Sequence, residues 1–244
     1  GADVLEKMAE EHELPAKILE WRGFAKLKST YTEALLNLLD ANSRIHTTYN
    51  QINTTTGRLS STNPNLQNIP IRTDMGLKIR ECFIAKPGHK IISSDYSQVE
   101  LRLMAVVAGV KALKEAFNHG IDIHAATAAK VFGVPADQVD HNLRRHAKTI
   151  NFGVIYGISQ YGLAKQLGIS ADEAKIYIDN YFRQMPEIKA YMEKTIAFAH
   201  KNGFVLTPYG RKCFVFGIND KNKRISSNAE RAAINAPLQG GAAD

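Results

Sequence analysis

Apolar positions recur at helical spacing through the first forty residues, predicting helices over 3–13 and 15–40 with Pro15 between them. Leu27, Tyr31, Ala34, Leu35, Leu38 and Leu39 form the apolar stripe of the second. Arg44–Gln51 alternates and is rich in β-branched residues, which predicts a strand. Residues 54–72 lose all periodicity and are dense in hydroxyls, amides and turn formers. A helix is expected at Gly76–Arg80 and a strand near Cys82–Ala85. After the turn Lys86-Pro87-Gly88, Lys90–Ser94 reads as a buried strand that ends on Asp95. Ser97-Gln98-Val99-Glu100 has the spacing of a capping box for a helix running to Val107. Helical patterns dominate from Lys111 to Lys201, broken at Gly120, Gly133-Val134-Pro135, Gly157, Gly168-Ile169-Ser170 and Met185-Pro186. Phe204–Leu206 and Lys212–Phe216 read as a hairpin, Ser227–Asn235 as a helix, and Pro237 as the start of another.

One helical stretch, Arg144 to Gly157, organises the rest. Arg144, Lys148, Phe152 and Tyr156 are spaced by four, so each is displaced only about 40° around the axis and all lie on one face. The line is about 18 Å long, with cations at one end and aromatic rings at the other. That is the size and polarity of a nucleoside triphosphate. Ile150, Val154 and Ile155 point elsewhere and can anchor the helix, and Gly157 is placed to end it. An ordinary surface helix with a solvated basic end has the same pattern.

Charge sharpens this picture. Thirty-one Lys and Arg against 24 Asp and Glu leave a net charge of +7 over 244 residues, which favours a polyanionic partner. In the polar stretch, Arg58, Asn65, Gln67 and Arg72 carry donors suited to phosphates or to the minor-groove acceptors shared by all base pairs. Asp95, ending an apolar run, reads as a metal ligand, an acid–base group or a turn former. His124, at a helix start, reads as a phosphate donor or a surface residue. Cys82 and Cys213 are too few for a disulfide framework and lack zinc spacing. With no secretory signal and no run apolar and long enough to span a bilayer, a soluble cytoplasmic protein is expected.

Taken together, the residues resemble a known family. Asp95-Tyr96-Ser97-Gln98-Val99-Glu100-Leu101-Arg102 is similar to motif A of the family A DNA polymerases, the bacterial DNA polymerase I type. Arg144 to Gly157 resembles the family's motif B, the nucleotide-binding helix of the fingers. Thr56–Ser61 and Pro64–Pro70 resemble the stretch before motif A, and Ala232–Gly240 resembles the palm helix beyond the fingers. The resemblance covers essentially all 244 residues in the family's order. It implies an α+β fold: a right-hand palm sheet, here incomplete, with a mainly α-helical fingers subdomain. The expected divisions are the thumb end at 1–43, palm at 44–103, fingers at 104–225 and palm helices at 226–244.

The resemblance also implies roles. Asp95, with the Tyr96 backbone carbonyl, would bind two Mg2+ ions, and Arg144 and Lys148 would neutralise the β- and γ-phosphates with His124 beside them. Phe152 would pack on the incoming sugar and disfavour chain terminators, while Tyr156 would stack near the templating base. Glu100 would wall off the 2′ position, excluding ribonucleotides, with Gln98 also at the dNTP. Arg58, Asn65, Gln67, Arg72, Arg231, Asn235 and Gln239 would line the minor groove of primer–template DNA. Expected partners are that DNA and dNTPs, with no membrane and a monomeric state; the source could be bacterial, phage or organellar. The family's motif C, which supplies a second metal-binding aspartate, is absent. These residues alone are therefore expected to be inactive in template-directed synthesis. A non-catalytic duplex-binding module and a single-subunit RNA polymerase are the rival readings; the Glu100 wall argues against the latter.

Overall fold

In the computed structural model, residues 1–71 and 73–244 are described, with only the backbone of Asp3. The expected DNA contact Arg72 lies outside the described residues. The chain forms two compact units, Gly1–Asn53 with Leu59–Ser94, and Thr54–Arg58 with Asp95–Asp244.

The first unit is small and sparsely buried. Helix α1 (Ala2–Met8) is followed by α2 (Glu13–Leu27), which is capped by His12, whose Nδ1 accepts from the Leu14 amide at 3.0 Å. Pro15 does not separate the helices: it sits in the first turn of α2, where an amide proton has no carbonyl to reach. Regular helix stops at Leu27, not at 40, giving way to a π turn over Lys28–Thr32 and a 3-10 turn over Leu36–Leu38. Of the apolar stripe, Tyr31 and Leu35 are buried, whereas Leu38 and Leu39 are exposed. The Tyr31 hydroxyl donates to the Asn68 carbonyl.

Strand β1 (Thr48–Asn50) forms only in the C-terminal half of the strand expected at Arg44–Gln51, and pairs antiparallel with β2 (Ser60–Thr62). The partner lies in the stretch read as irregular. Helix α3 (Asp74–Glu81) is capped by Thr73 Oγ1, 3.1 Å from the Gly76 amide. The strands expected at Cys82–Ala85 and Lys90–Ser94 do not form. Ile84, Ile91 and Ile92 are 82%, 65% and 90% exposed, and the second run is not buried. A strand exists through its neighbour's hydrogen bonds, and among the described residues these runs have none.

The second unit is a helical assembly: α4 (Val99–Val107), α5 (Lys111–Asn118), α6 (Ile123–Phe132), α7 (His141–Ile155), α8 (Gln160–Leu167), α9 (Ala171–Gln184), α10 (Pro186–Asn202) and α11 (Lys223–Ala243). The expected breaks hold: Asp, Ser or Gly caps mark all but Met185-Pro186, where Pro186 opens α10 without a side-chain cap. Asp122, Asp140, Ser159 and Ser170 accept first-turn amides, and Gly133, Gly168 and Gly203 close helices in the left-handed conformation. Their inner faces meet in one core built from Leu101, Met104, Leu113, Ile123, Ile150, Leu163, Tyr181, Ile188 and Leu238.

Tyr181 is fully buried there, and its hydroxyl has no partner among the described residues. A buried hydroxyl without a partner costs free energy that a ring alone does not. Tyr181→Phe is therefore expected to raise the unfolding free energy by about 1 kcal/mol in urea titration.

The expected hairpin forms as β3 (Phe204–Leu206) with β4 (Lys212–Phe214), in the register Phe204↔Phe214. Val205 and Cys213 point into a second core with Ala199, Ala229 and Ala233. Two expected helices at 227–235 and from 237 are instead one helix, α11, with Pro237 inside it. Losing one backbone bond at Pro237 is offset by burial on both sides, where Ile234 is 3% and Leu238 0% exposed.

Candidate functional site

Helix α7 buries Ala147, Ile150, Asn151, Val154 and Ile155, which fixes its rotation and turns the Arg144–Lys148–Phe152 line outward. The helix ends at Ile155; Tyr156 is its cap and Gly157 follows at φ +67°. The line of cations then rings survives this earlier stop. Phe152 and Tyr156 are stacked, with centroids 6.4 Å apart and planes at 30°. Lys148 is exposed and has no ion-pair partner among the described residues.

Arg144 is held by Asp122, the N-cap of α6. Asp122 Oδ1 caps α6, accepting from the His124 and Ala125 amides at 2.9 and 3.1 Å. Its Oδ2 accepts from Arg144 Nε at 2.6 Å. That bond occupies Nε, so the terminal guanidinium nitrogens remain for an incoming anion. His124 is not a surface histidine: it is 2% exposed, beneath Phe152 with ring centroids 5.9 Å apart. Its ring nitrogen Nδ1 lies 3.1 Å from Asn151 Nδ2, and Asn151 also meets Thr127.

Glu100 does not complete a capping box. The helix begins one residue late for it, with Gln98 as N-cap in the left-handed region at φ 55°, so Glu100 falls at the second helical position. Its carboxylate instead accepts from Arg58 Nη2 at 2.6 Å and from the Tyr156 hydroxyl. The start of α4, the end of α7 and the 54–58 segment are thereby tied at one carboxylate, itself 8% exposed. The Gln98 Oε1 is buried without a partner among the described residues. Gly157 leaves room for Arg231: a Cβ there would lie 3.0 Å from the Arg231 Cγ. An opening of about 380 Å³ is lined by Gly153, Tyr156, Gly157, Ile158, Gln166 and Arg231. Asn235, one turn along α11, buries an Oδ1 with no partner among the described residues, and Gln239 is half-buried one turn further.

In the first unit, Asn65 and Gln67 are exposed but engaged in their own loop. Asn65 Oδ1 accepts from Ser61 Oγ at 3.2 Å and from the Gln67 amide at 3.0 Å. Gln67 Oε1 accepts from the Ser61 amide at 3.1 Å, and its Nε2 donates to the Leu59 carbonyl at 3.0 Å.

A sequence model described as DNA polymerase family A matches residues 1–244. The chain belongs to that family. It is 52% identical to a Pseudomonas aeruginosa DNA polymerase I over 99% of this chain and 27% of the relative. It is 46% identical to the thermostable DNA polymerase I of Thermus aquaticus over 100% of this chain and 29% of that one. It thus spans about a quarter of the length of the curated relatives it matches. Among solved structures, the fold matches the POL domain of Pol1 from M. smegmatis, in complex with DNA primer-template and dNTP. The TM-score is 0.87 at 42% identity, over 100% of this chain and 43% of that one. The α+β fold expected from the sequence is thereby borne out, with the sheet content reduced to two short hairpin-like pairs among the described residues.

Membership of family A implies divalent metal, which needs a set of hard oxygen donors. Asp95 and Tyr96 are exposed in an irregular segment, not at the end of a formed strand. Among the described residues no three His, Cys, Asp or Glu side chains come together. One carboxylate and one carbonyl are oxygen donors of the right hardness but too few to hold two Mg2+ ions. The residues present do not by themselves fit that pair. No described helix is long and apolar enough to cross a membrane.

The contact between α6 and α7 carries a pH signature. Burial pushes the His124 imidazole below its ordinary value of 6.5; Asp122 pulls it up, and Arg144 and Lys148 push it down further. As pH falls below 6.5 the unfolded chain takes up a proton that the folded ring resists, so stability is lost from there down to the ring's lower folded value. Asp122 acts at lower pH still: burial raises its pKa, but bonds from Arg144 and two backbone amides bring it below 3.8. Thermal unfolding against pH is expected to show an acid-side loss beginning near 6.5, absent in His124→Gln.

Proposed function

We propose that the chain carries the nucleotide-selecting surface of a DNA-directed DNA polymerase. The reaction transfers a deoxynucleotidyl group from a dNTP to a primer 3′-hydroxyl, with pyrophosphate as leaving group. One observation carries the reading: the outward line of α7 ends on Tyr156, whose hydroxyl meets the same carboxylate as Arg58. Cations, ring and acidic wall then follow the order phosphate, sugar, 2′ position.

In this reading Arg144 and Lys148 stabilise charge on the β- and γ-phosphates as it moves to the leaving group. His124 donates to the triphosphate once the Phe152 ring above it gives way to the sugar. Tyr156 marks the place of the new base pair, and Gln98 lies behind the sugar wall formed by Glu100. Arg58, Arg231, Asn235 and Gln239 from the second unit, with Asn65 and Gln67 from the first, are assigned to the minor groove of primer–template DNA. Asp95 and the Tyr96 carbonyl are the oxygen ligands this chain would give to Mg2+ in the whole enzyme. The other ligands would come from the triphosphate and from outside the described residues.

The test separates a polymerase from a DNA-binding module. In the polymerase containing this chain, Arg144→Ala is expected to cut dNTP incorporation about 10- to 100-fold, the worth of a charge-assisted bond. Affinity for primed duplex should stay unchanged. Incorporation that survives intact, or is lost only in step with duplex binding, overturns the assignment.

A further inference from the structure

Beneath the phosphate end of α7 lies a small polar cluster in an otherwise apolar interface. Thr127, His124 and Asn151 are 4%, 2% and 0% exposed. His124 and Thr127 are three apart on α6, and Asn151 comes from the buried face of α7. A fully buried amide in the contact between two helices must use its bonds well.

The two protons of Asn151 Nδ2 have two acceptors within reach. Thr127 Oγ1 is 3.1 Å away, and His124 Nδ1 is also 3.1 Å away. Thr127 Oγ1 lies 3.2 Å from the amide oxygen Oδ1. An amide nitrogen cannot accept a hydrogen bond, so the ring nitrogen facing it must supply the lone pair. A neutral imidazole bare at Nδ1 carries its proton at Nε2. The ring is kept neutral by its burial and by the positive charges of Arg144 and Lys148, against the opposing Asp122. It thus has a single N–H, which faces away from Asn151.

We propose that Asn151 is a positioning residue that fixes His124 as the tautomer protonated at Nε2, so that the ring always presents a donor, never a lone pair, on the side away from Asn151. The consequence for nucleotide binding rests on the reading of His124 as a triphosphate contact; the tautomer itself does not. A phosphate oxygen is purely an acceptor. The opposite tautomer would therefore present a lone pair to it, losing a hydrogen bond and adding repulsion. Asn151 holds the ring in the one neutral form that binds an anion, without any need for a charged imidazole.

The experiment uses the polymerase containing this chain, labelled with 15N-histidine, with the His124 signals identified by their loss in His124→Gln. Wild type is expected to show an unprotonated Nδ1 and a protonated Nε2 across neutral pH. A ring protonated at Nδ1, or at both nitrogens, overturns the proposal. Asn151→Asp replaces the donor by an acceptor of the same shape. Its neutral ring should carry the proton at Nδ1, and only the imidazolium keeps a donor at Nε2. In that variant the KM for dNTP should rise on the order of tenfold as pH rises through neutrality, whereas the wild-type KM stays flat. An inverted tautomer in Asn151→Asp with an unchanged KM at every pH supports the positioning role and overturns the triphosphate contact of His124. A wild-type tautomer that persists in Asn151→Asp overturns the positioning role itself.

Discussion

Replacing Glu100 by Ala is expected to admit ribonucleotides. In the whole polymerase the ratio of ribonucleotide to deoxynucleotide incorporation should rise on the order of 10- to 100-fold, from a steric penalty of about 1–3 kcal/mol removed at the 2′ position. The structure adds a second consequence. The Glu100 carboxylate is the common acceptor for Arg58 and Tyr156, so Ala also frees both side chains. Efficiency with correct dNTPs should therefore fall several-fold even as discrimination is lost. Glu100→Gln separates the two effects. It keeps the wall and one carbonyl acceptor but weakens the bond to Arg58, whose side chain is half exposed. Ribonucleotides should stay excluded in Gln while dNTP efficiency drops modestly. Equal ribonucleotide use in Gln and Ala would mean that charge, and not bulk, makes the barrier.

Lys148→Ala is expected to cut kcat/KM for dNTP incorporation by on the order of 100- to 1000-fold, the loss typical of removing one preorganised charge-stabilising donor. Arg144 cannot move into the vacated place, because the bond from its Nε to Asp122 at 2.6 Å ties the side chain to the start of α6, although its terminal nitrogens still face an anion. Lys148, exposed one turn further along α7, is the cation with no competing anion among the described residues. Lys148→Arg should recover part of the rate by restoring charge at a different reach. Steady-state incorporation on a primed template reads this directly, and a drop in duplex affinity matching the drop in rate would reassign Lys148 to DNA.

The outward line of α7 was legible in the sequence because helical spacing alone decides which residues share a face, and Ile150, Val154 and Ile155 named the buried side. The helices of the second unit were legible for the same reason, their ends written in Asp, Ser and Gly caps. Strands were not. Lys90–Ser94 has the composition of a buried strand, yet its fate depends on a neighbour that the local residues do not encode. The capping box failed by one residue, since the left-handed Gln98 moves the helix start past the Ser97 register. Pro237 looked like a helix start, but burial of Ile234 and Leu238 carries α11 through it. The pairings that define the site join residues 42 apart for Arg58–Glu100 and 22 apart for Asp122–Arg144. Tertiary packing sets these, although Asn151, a polar residue in an apolar stripe, was a visible signal that a buried network would be found there.

The most direct test of the central claim is primer extension on a primed DNA template with Mg2+, with dNTPs and rNTPs compared. It is run with these 244 residues and with a full-length polymerase that contains them. The described residues bring no carboxylate cluster together, so the expected result is extension by the longer chain alone, with dNTPs strongly preferred. A longer chain that binds the primed duplex but never extends it, or that uses rNTPs as readily as dNTPs, would contradict the account.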